Sequence, residues 1–157
     1  MRFLLIFFLI INFKASVAKS VKCEFEEVYQ DGSIQSGDML FHDGLLRYEY
    51  YDKQLFTIIF NKDYFVIRND NRKSVSKLDN NLILNELKSV INNYPNIKTF
   101  YSNENINIKI HESMDSNFLK RISINSPDAN LSIYFINCNF EDIPKRYFQP
   151  FLVPEIR

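Results

Sequence analysis

Recognisable catalytic hardware is missing from this chain. It has two histidines, His42 and His111, two cysteines, three glycines and no tryptophan in 157 residues. No HExxH, CxxC or glycine-rich phosphate loop is present. Three scattered glycines, Gly32, Gly37 and Gly44, leave little material for a backbone cradle around an anion. Charge of one sign is missing too. Nineteen basic residues meet 19 acidic ones, so no broad field favours nucleic acid. There is no internal repeat and no low-complexity linker. Asp38, His42 and Asp43 cluster in sequence, but a turn-proximal polar group of this kind reads as solvated rather than as a metal site. Nothing orients Cys138 and His111 as a nucleophile and its base. Glu26, Glu27 and Glu49 could supply paired carboxylates, yet no feature argues for a raised pKa. The expectation is a non-enzymatic protein with no metal, no cofactor and no nucleic-acid partner.

The first twenty residues are the most informative stretch present. MRFLLIFFLIINFKASVAKS opens on a positive residue, runs through apolar Phe3–Ile11 and closes on small residues. Ser16 and Ala18 stand three and one before a natural cut, which makes 1–18 a signal peptide and 19–157 a single mature domain. The apolar run is too short to span a bilayer comfortably. An uncleaved anchor is the alternative. Arg2 and Lys14 leave with the leader, so the mature chain is slightly acidic.

Cys23 and Cys138 lie near the two ends of the mature chain. In an oxidising compartment one long-range bridge is open to them. It would close a loop that chain entropy values at roughly 4–5 kcal/mol. Two buried free thiols are the alternative. Cys23 is no lipid-attachment site, because Ser20-Val21-Lys22 puts a bulky charged residue just before it.

Fifteen phenylalanines and nine tyrosines supply stiff β-forming material. Alternation with period two begins at Phe25–Tyr29 and breaks at Asp31-Gly32. It resumes over Ile34–Phe41 and breaks again at Asp43-Gly44, the usual hairpin punctuation. Leu46, Tyr48 and Tyr50 share one face of the next run. Leu55–Phe60, Tyr64–Arg68 and Ser74–Leu78 continue an antiparallel meander. The period then changes. Apolar residues at 83, 84, 87, 90 and 91 predict a helix within Leu82–Asn93, capped by Asp79 or Asn80 and followed by Pro95. Strand pattern returns at Ile97–Tyr101, Asn105–Glu112, Phe118–Asn125 and Leu131–Cys138. Pro144, Pro150 and Pro154 restrict the tail to a short or edge strand. About ten strands and one helix emerge. They predict a mainly β fold: one strongly curved antiparallel sheet, an unclosed barrel, covered by one or two short helices. Two packed sheets are the main competitor.

In its order and spacing the chain resembles the LolA-like family, periplasmic carriers that escort lipoproteins to the bacterial outer membrane. The matching segments are Gly37-Asp38-Met39-Leu40-Phe41, Leu46-Arg47-Tyr48-Glu49-Tyr50 and the Leu55–Leu78 meander. Asn80–Leu87 sits where the family carries a short lid-like helix. Leu119-Lys120-Arg121-Ile122-Ser123-Ile124, Leu131–Asn137 and the closing Tyr147-Phe148-Gln149-Pro150 complete the likeness. It covers most of residues 33–152. Two departures stand out. The family's helix before the first strand has no counterpart here, and the basic residue followed by proline that serves its lid falls at Asp43-Gly44.

The resemblance implies a periplasmic chaperone of a Gram-negative bacterium that shelters lipoprotein acyl chains in an apolar cavity. Its partners would be those acyl chains, an inner-membrane releasing complex and an outer-membrane acceptor, and it would act as a monomer. Each CH₂ withdrawn from water is worth roughly 0.8 kcal/mol, so such a carrier needs a large apolar lining. The alternating set Phe41, Leu46, Tyr48, Tyr50, Phe56, Ile58, Phe60, Phe65 and Ile67 is the expected lining, with Leu84, Leu87 and Ile91 facing it from the helix. Arg47 is expected at the rim or in a partner contact. The rival readings are an interaction or structural module with a filled core, and a binder of free lipid.

Overall fold

The structure, a computed structural model, describes residues 20–52, 54–61, 64–69, 72–76, 89–90, 93–94, 96–112, 118–127 and 129–149. Residues 1–18, read above as a leader, lie outside them. Among the described residues ten strands form a single antiparallel sheet: β1 Ser20–Tyr29, β2 Ile34–His42, β3 Leu45–Tyr50, β4 Thr57–Asn61, β5 Tyr64–Asn69, β6 Arg72–Ser76, β7 Phe100–Ser102, β8 Asn107–Glu112, β9 Leu119–Asn125 and β10 Asn130–Phe140. The order across the sheet is β6-β5-β4-β3-β2-β1-β10-β9-β8-β7. Two meanders thus meet where the first strand pairs with the last. The sheet is not closed, and β6 and β7 are its edges.

Alternation builds these strands. In β8, Ile108 and Ile110 are buried while Asn107, Lys109, His111 and Glu112 face solvent. In β1, Val21, Cys23 and Phe25 are fully buried and Glu26 is exposed. The turn between β2 and β3 needs two left-handed residues. Asp43 at φ 47° and Gly44 at φ 76° provide them, matching the twist of a tight hairpin. Asp31 fixes the turn between β1 and β2 by accepting hydrogen bonds from the Ser33 amide (2.9 Å) and hydroxyl (2.7 Å).

The sheet has two unlike faces. The inner face carries the main core, with residues from β1, β2, β3, β8, β9 and β10. Between β6 and β7 in the chain, Val90, Tyr94 and Ile97 pack against this face. Ser89, Val90 and Asn93 are helical. The rest of the helix expected within Leu82–Asn93 lies outside the described residues. The tail forms no strand among the described residues. It makes a 3-10 turn, Lys145–Phe148, whose Phe148 joins Ile143 and Leu40 in a second cluster on the outer face. Proline at 144 suits that turn, because its fixed φ starts a helical turn and its missing N–H removes a sheet donor.

Cys23 and Cys138 are bonded across the central β1–β10 pair. They sit at a bulge, where Asn137 and Cys138 oppose the single residue Cys23 between the pairs Lys22↔Asn139 and Glu24↔Ile136. Asn137 takes the left-handed conformation there (φ 50°) and donates to Glu24 Oε2 at 3.1 Å.

Candidate ligand wall and its polar end

Register decides what the inner face presents. Val21, Phe41, Leu46 and Phe60 form one cross-strand row from β1 to β4. Cys23, Met39, Tyr48 and Ile58 form the next, and Phe25, Gly37 and Tyr50 the third. Glu27 and Gln35 follow. On the other half of the sheet Ile133, Ile122 and Ile110 continue the row from Glu27. From β1 to β4 and across β8 to β10 this face is therefore apolar except around Glu27.

The expected lining residues Phe41, Leu46, Tyr48, Tyr50, Ile58 and Phe60 all share this face. Phe65 and Ile67 pair in register with Phe60 and Ile58. Phe56 precedes β4 and is 47 % exposed. Leu84, Leu87 and Ile91 lie outside the described residues. Above the wall, aromatic rings close in. Tyr94 meets Phe41 edge-on at 5.4 Å and Phe118 at 5.2 Å, and Phe118 meets Phe135 at 5.8 Å.

Arg47 is on the opposite face and is not at an exposed rim. It is 2 % exposed and ion-paired with Glu49, on strands covered by the C-terminal turn. Alternation gives its face correctly; its burial comes from a distant segment docking there. Asp38 and His42 share that outer face. His42 is hydrogen-bonded to the Ser20 hydroxyl and stacks on Phe148. Among the described residues no group of three or more His, Cys, Asp or Glu is arranged to hold a metal. Cys138 is consumed by the bridge.

Sequence reasoning weighed Glu27 only as one of three possible paired carboxylates and did not place it on the wall. It is 5 % exposed on the apolar face. Its carboxylate accepts the Tyr29 hydroxyl at 2.6 Å, the Tyr48 hydroxyl at 2.9 Å and the Tyr50 hydroxyl at 3.1 and 3.0 Å to its two oxygens. Tyr29 also donates toward Gln35 at 3.1 Å. Phe25 holds the cluster in place, stacking on Tyr48 at 3.7 Å and meeting Tyr50 edge-on at 5.3 Å. A signal was available: period two from buried Phe25 puts Glu27 and Tyr29 on the same side.

Burial, then the negative charge of Glu27, pushes the Tyr48 hydroxyl well above the ordinary tyrosine range. Tyr50 is raised for the same reasons in the same order. Tyr29 is raised by burial, then by its hydrogen bond to Glu27. The phenols therefore stay protonated and keep donating. Unfolded tyrosine titrates near about 10. Because the folded values are higher, this stabilisation is complete below about pH 10 and is lost as pH rises above it. The expected result is a urea midpoint that is flat from neutrality to about pH 9.5 and falls beyond pH 10. Tyr48 alone contributes up to about 1.4 kcal/mol per pH unit. Tyr48→Phe should flatten that fall; an unchanged alkaline slope would contradict the assignment.

No family model matches this chain, and no curated protein matches it. Among solved structures, the crystal structure of MucB in complex with MucA(peri) is similar at 14 % identity and a TM-score of 0.36. The likeness covers 88 % of this chain, which spans 57 % of the length of that one. A likeness this distant carries no argument about function.

Proposed function

We propose that this protein is a non-enzymatic carrier that shelters the acyl chains of lipoproteins on the inner face of its sheet, in the periplasm. One observation carries the reading. Among the described residues a single unclosed sheet presents an apolar face, and Val90, Tyr94 and Ile97, rather than a second sheet, pack over it. The Cys23–Cys138 bridge supports an oxidising compartment, as does the leader-like N-terminus. Among the described residues no helix is long and apolar enough to cross a membrane. An inner-membrane releasing complex and an outer-membrane acceptor are the partners such a monomeric carrier would need.

A second reading is favoured by the aromatic closure of Phe41, Tyr94, Phe118 and Phe135, which suits an interaction module with a filled core. Purification at native expression, followed by mass spectrometry of bound lipid and of crosslinked protein, separates the two. Lipid or an acylated protein should co-purify with the carrier. Recovery of neither would leave the filled-core module in its place.

A further inference from the structure

The outer face of the sheet is divided by charge along β10. Lys109 and His111 stand outward from β8, either side of buried Ile110. On β9 the register steps past Lys120, so Lys120 and Arg121 both stand outward between Leu119 and Ile122 of the core. On the other side of β10, Glu24 and Glu26 stand outward from β1, Asp38 from β2 and Glu49 from β3. Lys22 is the exception there, and Arg47 is buried and paired with Glu49. Between the two sides β10 presents Ser132, Tyr134 and Ile136. Ile136 is 38 % exposed, and the Arg121 guanidinium lies 5.8 Å from the Tyr134 ring. Glu24, Asp38 and Glu49 oppose one another directly across adjacent strands. Like charges so placed destabilise an isolated sheet, and a cationic surface laid over them would relieve that. Burial first of all raises the Asp38 carboxyl; Lys22 opposes the rise, and Glu24 and Glu49 add to it.

A half turn about an axis running along β10 lays this face on itself with the charges exchanged. Strands are evenly spaced on both sides, so β9 of one copy falls over β1 of the other, and β8 over β2. Register then matches the residues. His111, Arg121, Tyr134, Glu26 and Ser36 form one cross-strand row, so Arg121 comes over Glu26 and Tyr134 over the same residue of the second copy. Ile136 is in register with Glu24, so it too lies at the axis, with Lys120 of one copy over Glu24 of the other. A half turn about the perpendicular direction in the plane would set like charge on like. Sheets packed face to face stand about 10 Å apart, a gap that side chains of this size fill.

We propose that the outer face of β8, β9, β10, β1 and β2 pairs two copies of this chain, Arg121 and Lys120 of each against Glu26 and Glu24 of the other, about a centre of Tyr134 and Ile136. An apolar and aromatic centre ringed by charge is the usual anatomy of such a contact. The pairing uses the face away from the wall and does not rest on the carrier reading, from which it departs in setting two copies where that reading has a monomer. Five strands of about seven residues cover roughly 600 Å² per copy. Two such faces bury about 1,200 Å², the low end for a specific interface, so the pair is a weak and salt-sensitive one.

The test is analytical ultracentrifugation of the intact, disulfide-bonded protein up to about 100 μM, in low salt and in about 0.5 M salt. A dimer should form in low salt, with a dissociation constant that rises about tenfold or more in high salt. Arg121→Glu and Glu26→Arg should each weaken pairing at least about tenfold, because each sets two like-charge contacts across the axis. Mixed in equal amounts, the two variants should pair with each other at close to the unmodified affinity, since both contacts are again between opposite charges. Damage confined to one chain's own fold cannot produce that rescue. Should Arg121→Glu not fold, Ile136→Lys, at an exposed position on the axis, should weaken pairing to the same degree. A protein that stays monomeric throughout would overturn the proposal and leave the face to a different partner. A dimer indifferent to salt and to these substitutions, or folded charge variants that fail to rescue each other, would overturn it by placing the contact elsewhere.

Discussion

Removing the Cys23–Cys138 bridge is expected to cost about 5 kcal/mol of stability. The bond spans a sequence separation of 115 residues. Without it the unfolded chain regains the freedom of a very long loop, and loop entropy of that size is comparable to the whole net stability of many domains. The place of the bond adds to this. β1 and β10 are the chain's first and last strands in the sheet, and their pairing joins the two meanders at its centre. Among the described pairings this is the contact with the largest separation along the chain to close. Urea unfolding of Cys23→Ala with Cys138→Ala, beside the unmodified protein, measures the effect. At a slope of roughly 1–3 kcal/mol per M, the midpoint should fall by about 2 M or more. A midpoint that does not move would mean that the bond adds nothing to pairing already secured by the core.

Gly37→Ala is expected to cost about 3 kcal/mol or more. Gly37 lies between Phe25 on β1 and Tyr50 on β3. A Cβ there would run into the Glu49 carbonyl oxygen and come within 2.6 Å of Phe25 Cζ. The first neighbour is backbone and cannot yield without breaking the β2–β3 ladder. The second is the ring that stacks on Tyr48 and so aims its hydroxyl at Glu27. The loss should therefore appear both in thermal stability and in the near-ultraviolet signature of ordered tyrosines. Gly32→Ala is the contrasting substitution. Gly32 has a positive φ of 82° but no atom within 4 Å of a Cβ, so only backbone strain is at stake. That strain is worth about 1–2 kcal/mol. Equal effects at the two glycines would show that Phe25 does not need the space over Gly37.

Much of the wall is legible in the chain because alternation assigns faces. Leu46, Tyr48 and Tyr50 fall on one side and Arg47 and Glu49 on the other without any knowledge of the fold. The strand edges are less legible. β1 already includes Ser20, ahead of Phe25, and β6 already includes Arg72, ahead of Ser74; residues 77 and 78 lie outside the described residues. Pairing extends a strand past the residues whose own pattern announces it. Arg47 shows a different limit. A charged residue on the outer face reads as solvated, yet Ile143 and Phe148 arrive from the far end of the chain and cover that face.

The sequence by itself determined the class of the protein: strands of period two, turns at Asp31-Gly32 and Asp43-Gly44, a leader-like start and a shortage of catalytic groups. These are local properties, fixed by which side of a strand a residue occupies and which φ a turn residue tolerates. Only the tertiary structure decided that β1 pairs with β10, that Cys23 meets Cys138, and that Glu27 ends inside the apolar wall under three tyrosine hydroxyls. Those outcomes depend on register between strands distant in the chain, and alternation within one strand says nothing about its neighbour.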